Sequence, residues 1–256
     1  MRPRFHVPGV NSTTERVEMP EDEAEHLTRV LRLGAGDEVD VFDGHGALWR
    51  AQVVQTGKKS AWIRPIEELE PAPELDISLT LVISVLKGDK IDDIVRDAVM
   101  LGVTRIQPVI SERSEISPAS MARGSRVARW QRIAVASAKQ CGRAVVPAVH
   151  DAMPLDLYWT DPSTRETHQG DSRSLSVMCV EPSSASLAEV VPVHVVKKAA
   201  AVDVIVGPEG GWAVSEIAAA HDSGAILMSL GGRTLRADAV PLIALTALLT
   251  TWGELK

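Results

Sequence analysis

The run ISLTLVISVL, Ile77 to Leu86, constrains the fold more than any other stretch of the chain. It is apolar, rich in β-branched residues and too short to cross a membrane, which describes a strand covered on both faces. Such a strand needs helices above and below it. The next segment, KGDKIDDIVRDAVMLGV, is amphipathic and ends near Gly102, as a covering helix would. The alternation then continues to the end of the chain. TRIQPVIS, SLSVMCVEP, VDVIVG and AILMSLG read as strands. ASMARGSRVARWQRIAVASAKQCG, ASLAEVV, AVSEIAAAHDSG and ADAVPLIALTALLTTWGEL read as helices. Strands alternating with helices predict an α/β fold with a mostly parallel sheet. Residues 160–174 lack apolar spacing and are expected to form a flexible surface loop.

Upstream the rhythm is different. PEDEAEHLTRVLRL opens with Pro20 and three acids, sets Leu27, Val30 and Leu31 on one face, and stops before Gly34, which predicts a helix. DEVDVFDGHGALWRAQVV holds two alternating runs around Asp43-Gly44-His45-Gly46, a hairpin signal. SAWIRPIEEL supplies a further strand, and the acidic, proline-bearing EELEPAPELD reads as a linker. The chain is therefore expected to contain a small β-rich domain over residues 1–72 and an α/β domain over 73–256.

Composition bounds the function classes. No apolar run reaches membrane-spanning length and no charged-then-apolar leader opens the sequence, so a cytoplasmic protein without a membrane partner is expected. Cys141 and Cys179 stand far apart in no metal-ligand spacing, which points to two partly buried thiols and to no metal. The net charge is −7, yet residues 87–150 carry 11 basic and 6 acidic side chains while the flanking regions are acidic. That asymmetry hints at a surface facing a polyanion.

In parallel sheets, ligands sit beyond the carboxyl ends of the strands, so the loops that follow strands carry the chemistry. Three stand out: CVEPSS, GPEGGW and LGGRTLRAD. GPEGG is a poor phosphate cradle, because Pro208 removes a backbone donor and Glu209 adds a negative charge. Glycines that admit a flat ring, next to a carboxylate, suit a neutral or cationic ligand such as the sulfonium nucleoside S-adenosylmethionine. The competing reading is a tight turn in which Glu209 caps the helix beginning near Val214. In MSLGGRTLRADAVPLIALTALL, Arg233 and Arg236 lie near a helix start, where the helix dipole disfavours cations. They call for an anionic partner or for local pairing with Asp238 or Glu209.

GPEGGW…SEI followed by LGGRTLRADAVPLIAL resembles the C-terminal signature of the SPOUT methyltransferases, and specifically the RsmE-type 16S ribosomal RNA uracil-N3 methyltransferases. RPRFHV, HLTRVLRLGAGDEVDVFDG, KGDKIDDIVRDAVMLGVTRIQPVISERS and AKQCGRAVVP match that family in the same order along nearly the whole chain. The resemblance implies a small N-terminal PUA-like β-barrel domain that binds RNA and a C-terminal SPOUT methyltransferase domain whose chain end is threaded into a trefoil knot. It also implies a homodimer. Carried over by position, the S-adenosylmethionine site would comprise Val180, Glu181, Pro182, Gly207, Pro208, Glu209, Gly210, Gly211, Leu230, Gly231, Arg233, Leu235 and Arg236. The chain departs from the family at Gly232, where proline is usual, at RADA, where a longer acid and a threonine are common, and at Lys139, where glutamate is frequent.

The implied reaction is transfer of a methyl group to N3 of a uridine in 16S ribosomal RNA of the small subunit. Such a displacement needs alignment, exclusion of water and a cation beside the base oxygen as the N3 proton leaves. Arg236 is the expected cation, and Asp238 a candidate base alongside solvent. For RNA the basic candidates are Arg4, Arg29, Arg32, Lys87, Lys90, Arg126 and Arg143, and Arg123, Arg126, Arg129 and Arg132 recur every three residues on a helix. Three readings compete with this one: an RNA-binding module without transfer, a SPOUT enzyme acting at another RNA position, and a nucleotide-dependent enzyme using the same loops.

Overall fold

The computed structural model describes residues 2–11, 13, 15–116, 125–161, 174–182 and 189–255. They gather into two compact units, Met1–Glu74 with Val135–Val146, and Leu75–Ala134 with Pro147–Lys256.

The first unit is built on a five-stranded sheet. Its strands are β1 (Arg4–His6), β2 (Val17–Glu18), β3 (Glu38–Phe42), β4 (Leu48–Thr56) and β5 (Ala61–Leu69), in the order β1-β3-β4-β5-β2. β3 and β4 form the antiparallel hairpin that the Asp-Gly signal predicts, and Asp43 Oδ1 accepts the His45 and Ala47 N–H groups in its turn. β5 runs on through Glu67, Glu68 and Leu69, with Leu69 facing Leu48, so the linker begins at Glu70, one residue before its first proline, rather than at Glu67. The core joins Phe5, Val39, Val41, Trp49, Val53 and Ile63 to Ala24 and Leu27 from the helix.

That helix is shorter and wider than its sequence suggests. α1 (Glu21–Glu25) passes into a π-helical turn, His26–Val30, closed by Leu31 N–H donating to the His26 carbonyl at 3.1 Å. The extra residue in the turn rotates the apolar stripe. Leu27 is buried, while Val30 is 68% and Leu31 37% exposed, so these two leave the face that periodicity assigned them. Arg32 follows with a left-handed φ of 56°.

Residues 135–146 complete this unit. Arg4 donates to the carbonyls of Gly142 and Arg143 at 2.7 and 3.0 Å. Lys139 holds both oxygens of the buried Glu23 at 2.9 and 2.7 Å. Lys139 thus has an acid supplied by α1 as its partner. Removing one member of such a pair strands a buried charge. Lys139→Met is expected to cost about 3 kcal/mol in urea unfolding. The double variant with Glu23→Gln should recover part of that loss.

The second unit is an eight-stranded sheet in which every strand pair is parallel. Its strands are β6 (Ser78–Ser84), β7 (Arg105–Ile110), β8 (Ala148–Val149), β9 (Met153–Pro154), β10 (Ser174–Cys179), β11 (Val190–Pro192), β12 (Ala201–Val206) and β13 (Ile226–Ser229). The order is β11-β13-β10-β12-β6-β7-β8, with β9 also pairing β7. β6 is buried along nearly its whole length, as a strand covered on both faces must be. The helices are α2 (Lys90–Met100), α3 (Arg126–Cys141), whose residues from Val135 on belong to the first unit, α4 (Leu155–Thr160), α5 (Val214–Asp222) and α6 (Val240–Thr251). Thr160 ends α4 and Ser174 begins β10, while the first turns expected for α3 and residues 162–173 of the loop expected over 160–174 lie outside the described residues. So do residues 185–188 of the expected helix ASLAEVV, whose last two residues instead belong to strand β11. No helix of the described residues is long and apolar enough to cross a membrane.

Candidate functional site

β10, β12 and β13 end side by side, because β10 pairs with both of the others. The loops that leave their carboxyl ends converge on one cavity of about 310 Å³. Neighbouring apolar strands thus deliver CVEP, GPEGGW and LGGRTLRAD to a single place. The cavity is lined by all the residues proposed for the cofactor except Gly210 and Gly231, and by Asp238. Gly210 faces away from it, where a side chain would press on Arg113 Cβ at 3.1 Å, and its carbonyl accepts from Arg113. Gly231 has a left-handed φ of 101°, which lets the loop turn beside Leu230.

The GPEGGW loop is held from several sides. Trp212 is buried and its indole N–H donates to the Cys179 carbonyl at 2.9 Å, tying this loop to the end of β10. Gly207 lies against that indole, with room for no side chain: a Cβ there would be 2.9 Å from the ring. Glu216, not Glu209, caps α5, accepting the Ala213 N–H at 2.9 Å and the Glu112 N–H at 2.8 Å. Glu209 is thereby left to the cavity, where its carboxylate meets the Lys90 ammonium at 2.8 Å. Burial works to raise the Glu209 pKa, but Lys90 and backbone N–H groups outweigh it and hold the carboxyl below its ordinary range.

The LGGRTLRAD loop brings its own pair. Arg236 donates to both oxygens of Asp238, Nε at 3.0 Å and Nη2 at 2.7 Å. This hydrogen-bonded pairing lowers the Asp238 pKa and raises that of Arg236. A carboxylate so held is a weak base, which argues against Asp238 as proton acceptor. Arg233 and Glu181 also line the cavity, and neither forms an ion pair among the described residues. The wall therefore carries three cations, Lys90, Arg233 and Arg236, and three acids, Glu181, Glu209 and Asp238, interleaved with Val180, Val206, Trp212, Leu230 and Leu235.

Sequence reasoning missed Lys90 and Trp212 as cavity residues. Lys90 was assigned to RNA, although a lysine at the first position of a helix already opposes the dipole and asks for a nearby acid. Cys179 also lines the cavity, and burial pushes its thiol up to about 12. Native protein treated with iodoacetamide at pH 8 is expected to stay unmodified at Cys179, as peptide mapping would show, since the thiolate is the reactive form.

The basic candidates fare unequally. Arg143 is 5% exposed and grips Glu74 with three contacts of 2.6 to 3.0 Å, and Arg4 is bound to backbone carbonyls, so neither guanidinium is presented to a nucleic acid. Lys87 pairs with Glu115, Arg29 with Glu25, and Arg129 with Asp89 and Asp92. Arg32 is exposed, and Arg126 and Arg132 open the first turns of α3. Arg123 lies outside the described residues.

Comparison with known proteins agrees with this architecture. The family described as the RNA methyltransferase domain matches residues 73–249, and the RNA methyltransferase PUA domain matches residues 20–66. Ribosomal RNA small subunit methyltransferase E from Synechocystis is 32% identical over 226 residues, covering 86% of this chain and 68% of that protein. The Bacillus subtilis protein of the same name is 27% identical, over 89% of this chain and 87% of its own. The crystal structure of ribosomal RNA small subunit methyltransferase E from Neisseria gonorrhoeae bound to S-adenosylmethionine superposes with a TM-score of 0.86 at 30% identity, covering both chains completely. Matched in its methyltransferase domain, in its PUA domain and over nearly its full length, this chain belongs to the ribosomal RNA small subunit methyltransferase E family.

Proposed function

We propose that this protein uses S-adenosylmethionine to methylate N3 of a specific uridine in 16S ribosomal RNA of the small subunit, acting in the cytoplasm. The observation that carries the reading is the cavity at the ends of β10, β12 and β13, in a chain whose relatives are ribosomal RNA methyltransferases. Its size suits a nucleoside-sized ligand. Its lining suits one that combines a flat ring, a cation and a carboxylate, since apolar walls and both signs of charge are present.

When bound, the cofactor supplies a methyl group on a sulfonium, ready for in-line displacement. The chain's own residues do the rest. Trp212 and Val180 help to exclude water, and the three loops fix the ligand's orientation. Arg236 lies 79% exposed at the cavity rim, where its guanidinium can stabilise the negative charge that grows on a base oxygen as the N3 proton departs to solvent. Asp238 keeps that guanidinium in place through its two hydrogen bonds. Arg233 serves the loop or a phosphate.

Residues 1–72 are read as the RNA-binding PUA-like domain and residues 73–256 as the SPOUT domain with a trefoil knot. The family membership supports both. A homodimer is supported by α6, which is apolar around most of its surface and exposes Leu242 and Ile243. Contact with RNA phosphates through Arg32, Arg126 and Arg132 would make binding fall steeply with salt. A loss of about tenfold in affinity between 50 and 200 mM salt is expected in filter binding. Calorimetry tests the cofactor directly: micromolar binding of S-adenosylmethionine is the expected result, and none up to millimolar concentration would overturn the reading.

A further inference from the structure

The Lys90–Glu209 pair is the contact that neither the fold nor the capping of α5 requires. Lys90 opens α2, and no side chain caps that helix end, so its ammonium sits where the helix dipole repels it. It is steadied there by Glu209, 119 residues away on the GPEGG loop. The two side chains are 37% and 32% exposed, and both line the cavity. The other close cation–acid pair on the wall, Arg236 with Asp238, is formed within one loop between residues two apart. Among the described residues that line the cavity, Lys90 alone comes from α2.

We propose that Lys90 and Glu209 act as a counter-ion couple that sets how strongly the cavity prefers the cationic sulfonium of S-adenosylmethionine over the neutral thioether of its demethylated product. The proposal rests on the cofactor reading above and adds a specificity role for one pair. Glu209 favours a positive ligand, and Lys90 opposes it. Together they present a nearly neutral wall, which limits how far charge at this pair favours the sulfonium over the thioether. Lys90 is a positioning and charge-balancing residue in this scheme, not a reacting one.

Charge balance makes a prediction that a merely structural salt bridge does not. Lys90→Met leaves a lone carboxylate at the cavity, so the ratio of the two dissociation constants should shift toward the sulfonium by roughly fivefold or more. Glu209→Gln leaves a lone ammonium, so the ratio should shift by a similar factor the other way. The double variant should return close to the parent ratio, even where both absolute affinities have weakened. The experiment is calorimetric titration of parent, single and double variants with S-adenosylmethionine and with S-adenosylhomocysteine, with thermal melting to verify folding. Opposite shifts that cancel in the double variant support the couple. Equal loss for both ligands, or shifts of the same sign, overturns it while leaving the cofactor reading intact. Absence of binding by the parent protein to either ligand overturns that reading and the couple with it.

Discussion

An Arg236→Ala variant is expected to fold normally, bind RNA with near-parental affinity and lose most methyl transfer, with kcat falling about 100- to 1,000-fold. The side chain is mostly exposed and touches only Asp238 strongly, so its removal opens no core and strands no buried partner. What disappears is the cation beside the base oxygen on which negative charge develops. A fall in kcat without a comparable rise in KM for RNA is the signature of an interaction made chiefly in the transition state. Arg236→Lys should recover only part of the rate, because an ammonium cannot keep the paired hydrogen bonds to Asp238 that orient the guanidinium. Single-turnover transfer with labelled cofactor measures both effects, and near-parental turnover by the alanine variant would remove Arg236 from the mechanism.

The second large effect is expected from a single methyl group. At Gly207 a Cβ would meet the Trp212 indole at 2.9, 3.1 and 3.2 Å, closer than a ring carbon tolerates. The indole cannot withdraw without breaking its hydrogen bond to the Cys179 carbonyl inside the protein. Gly207→Ala therefore has to displace one wall of the cavity. Overpacking of this kind costs about 1–3 kcal/mol of stability. More telling for function, affinity for S-adenosylmethionine should fall at least tenfold, roughly the factor that 1.4 kcal/mol of misfit represents. Calorimetry beside a thermal melt separates the two consequences. Adding Trp212→Phe to the alanine variant, which removes the indole N–H and shrinks the ring, should restore part of the binding.

Much of the architecture was legible because it follows from local pattern. The uniformly apolar β6, the amphipathic α2 and the strand-then-glycine breaks after β10, β12 and β13 fix a parallel sheet and name the loops at its ligand-binding edge. The charge argument against a phosphate at GPEGG used only the identities of Pro208 and Glu209, and it stands beside a cavity whose acids and cations are balanced. The resemblance to the methyltransferase family, not periodicity, supplied the cofactor and the reaction.

What escaped the sequence was long-range or subtle in geometry. Lys139 meets Glu23 across 116 positions and Lys90 meets Glu209 across 119, and no local rule pairs them. These partners also explain why the basic count of residues 87–150 overstated the free positive surface: Lys87, Lys90, Lys139 and Arg143 each hold an acid. The π-turn at His26–Val30 is invisible to a 3.6-residue template, which is why Val30 and Leu31 were assigned to the wrong face. Nor does any local rule bring Arg113 against Gly210, whose carbonyl accepts from it at 3.1 Å.

The central claim is tested most directly by transfer of a labelled methyl group from S-adenosylmethionine to small ribosomal subunits that lack their own modification, followed by mapping of the labelled base. The account predicts label on a single uridine of 16S ribosomal RNA, at N3. Label at another base or another atom, or no transfer by protein that binds the cofactor, would contradict it.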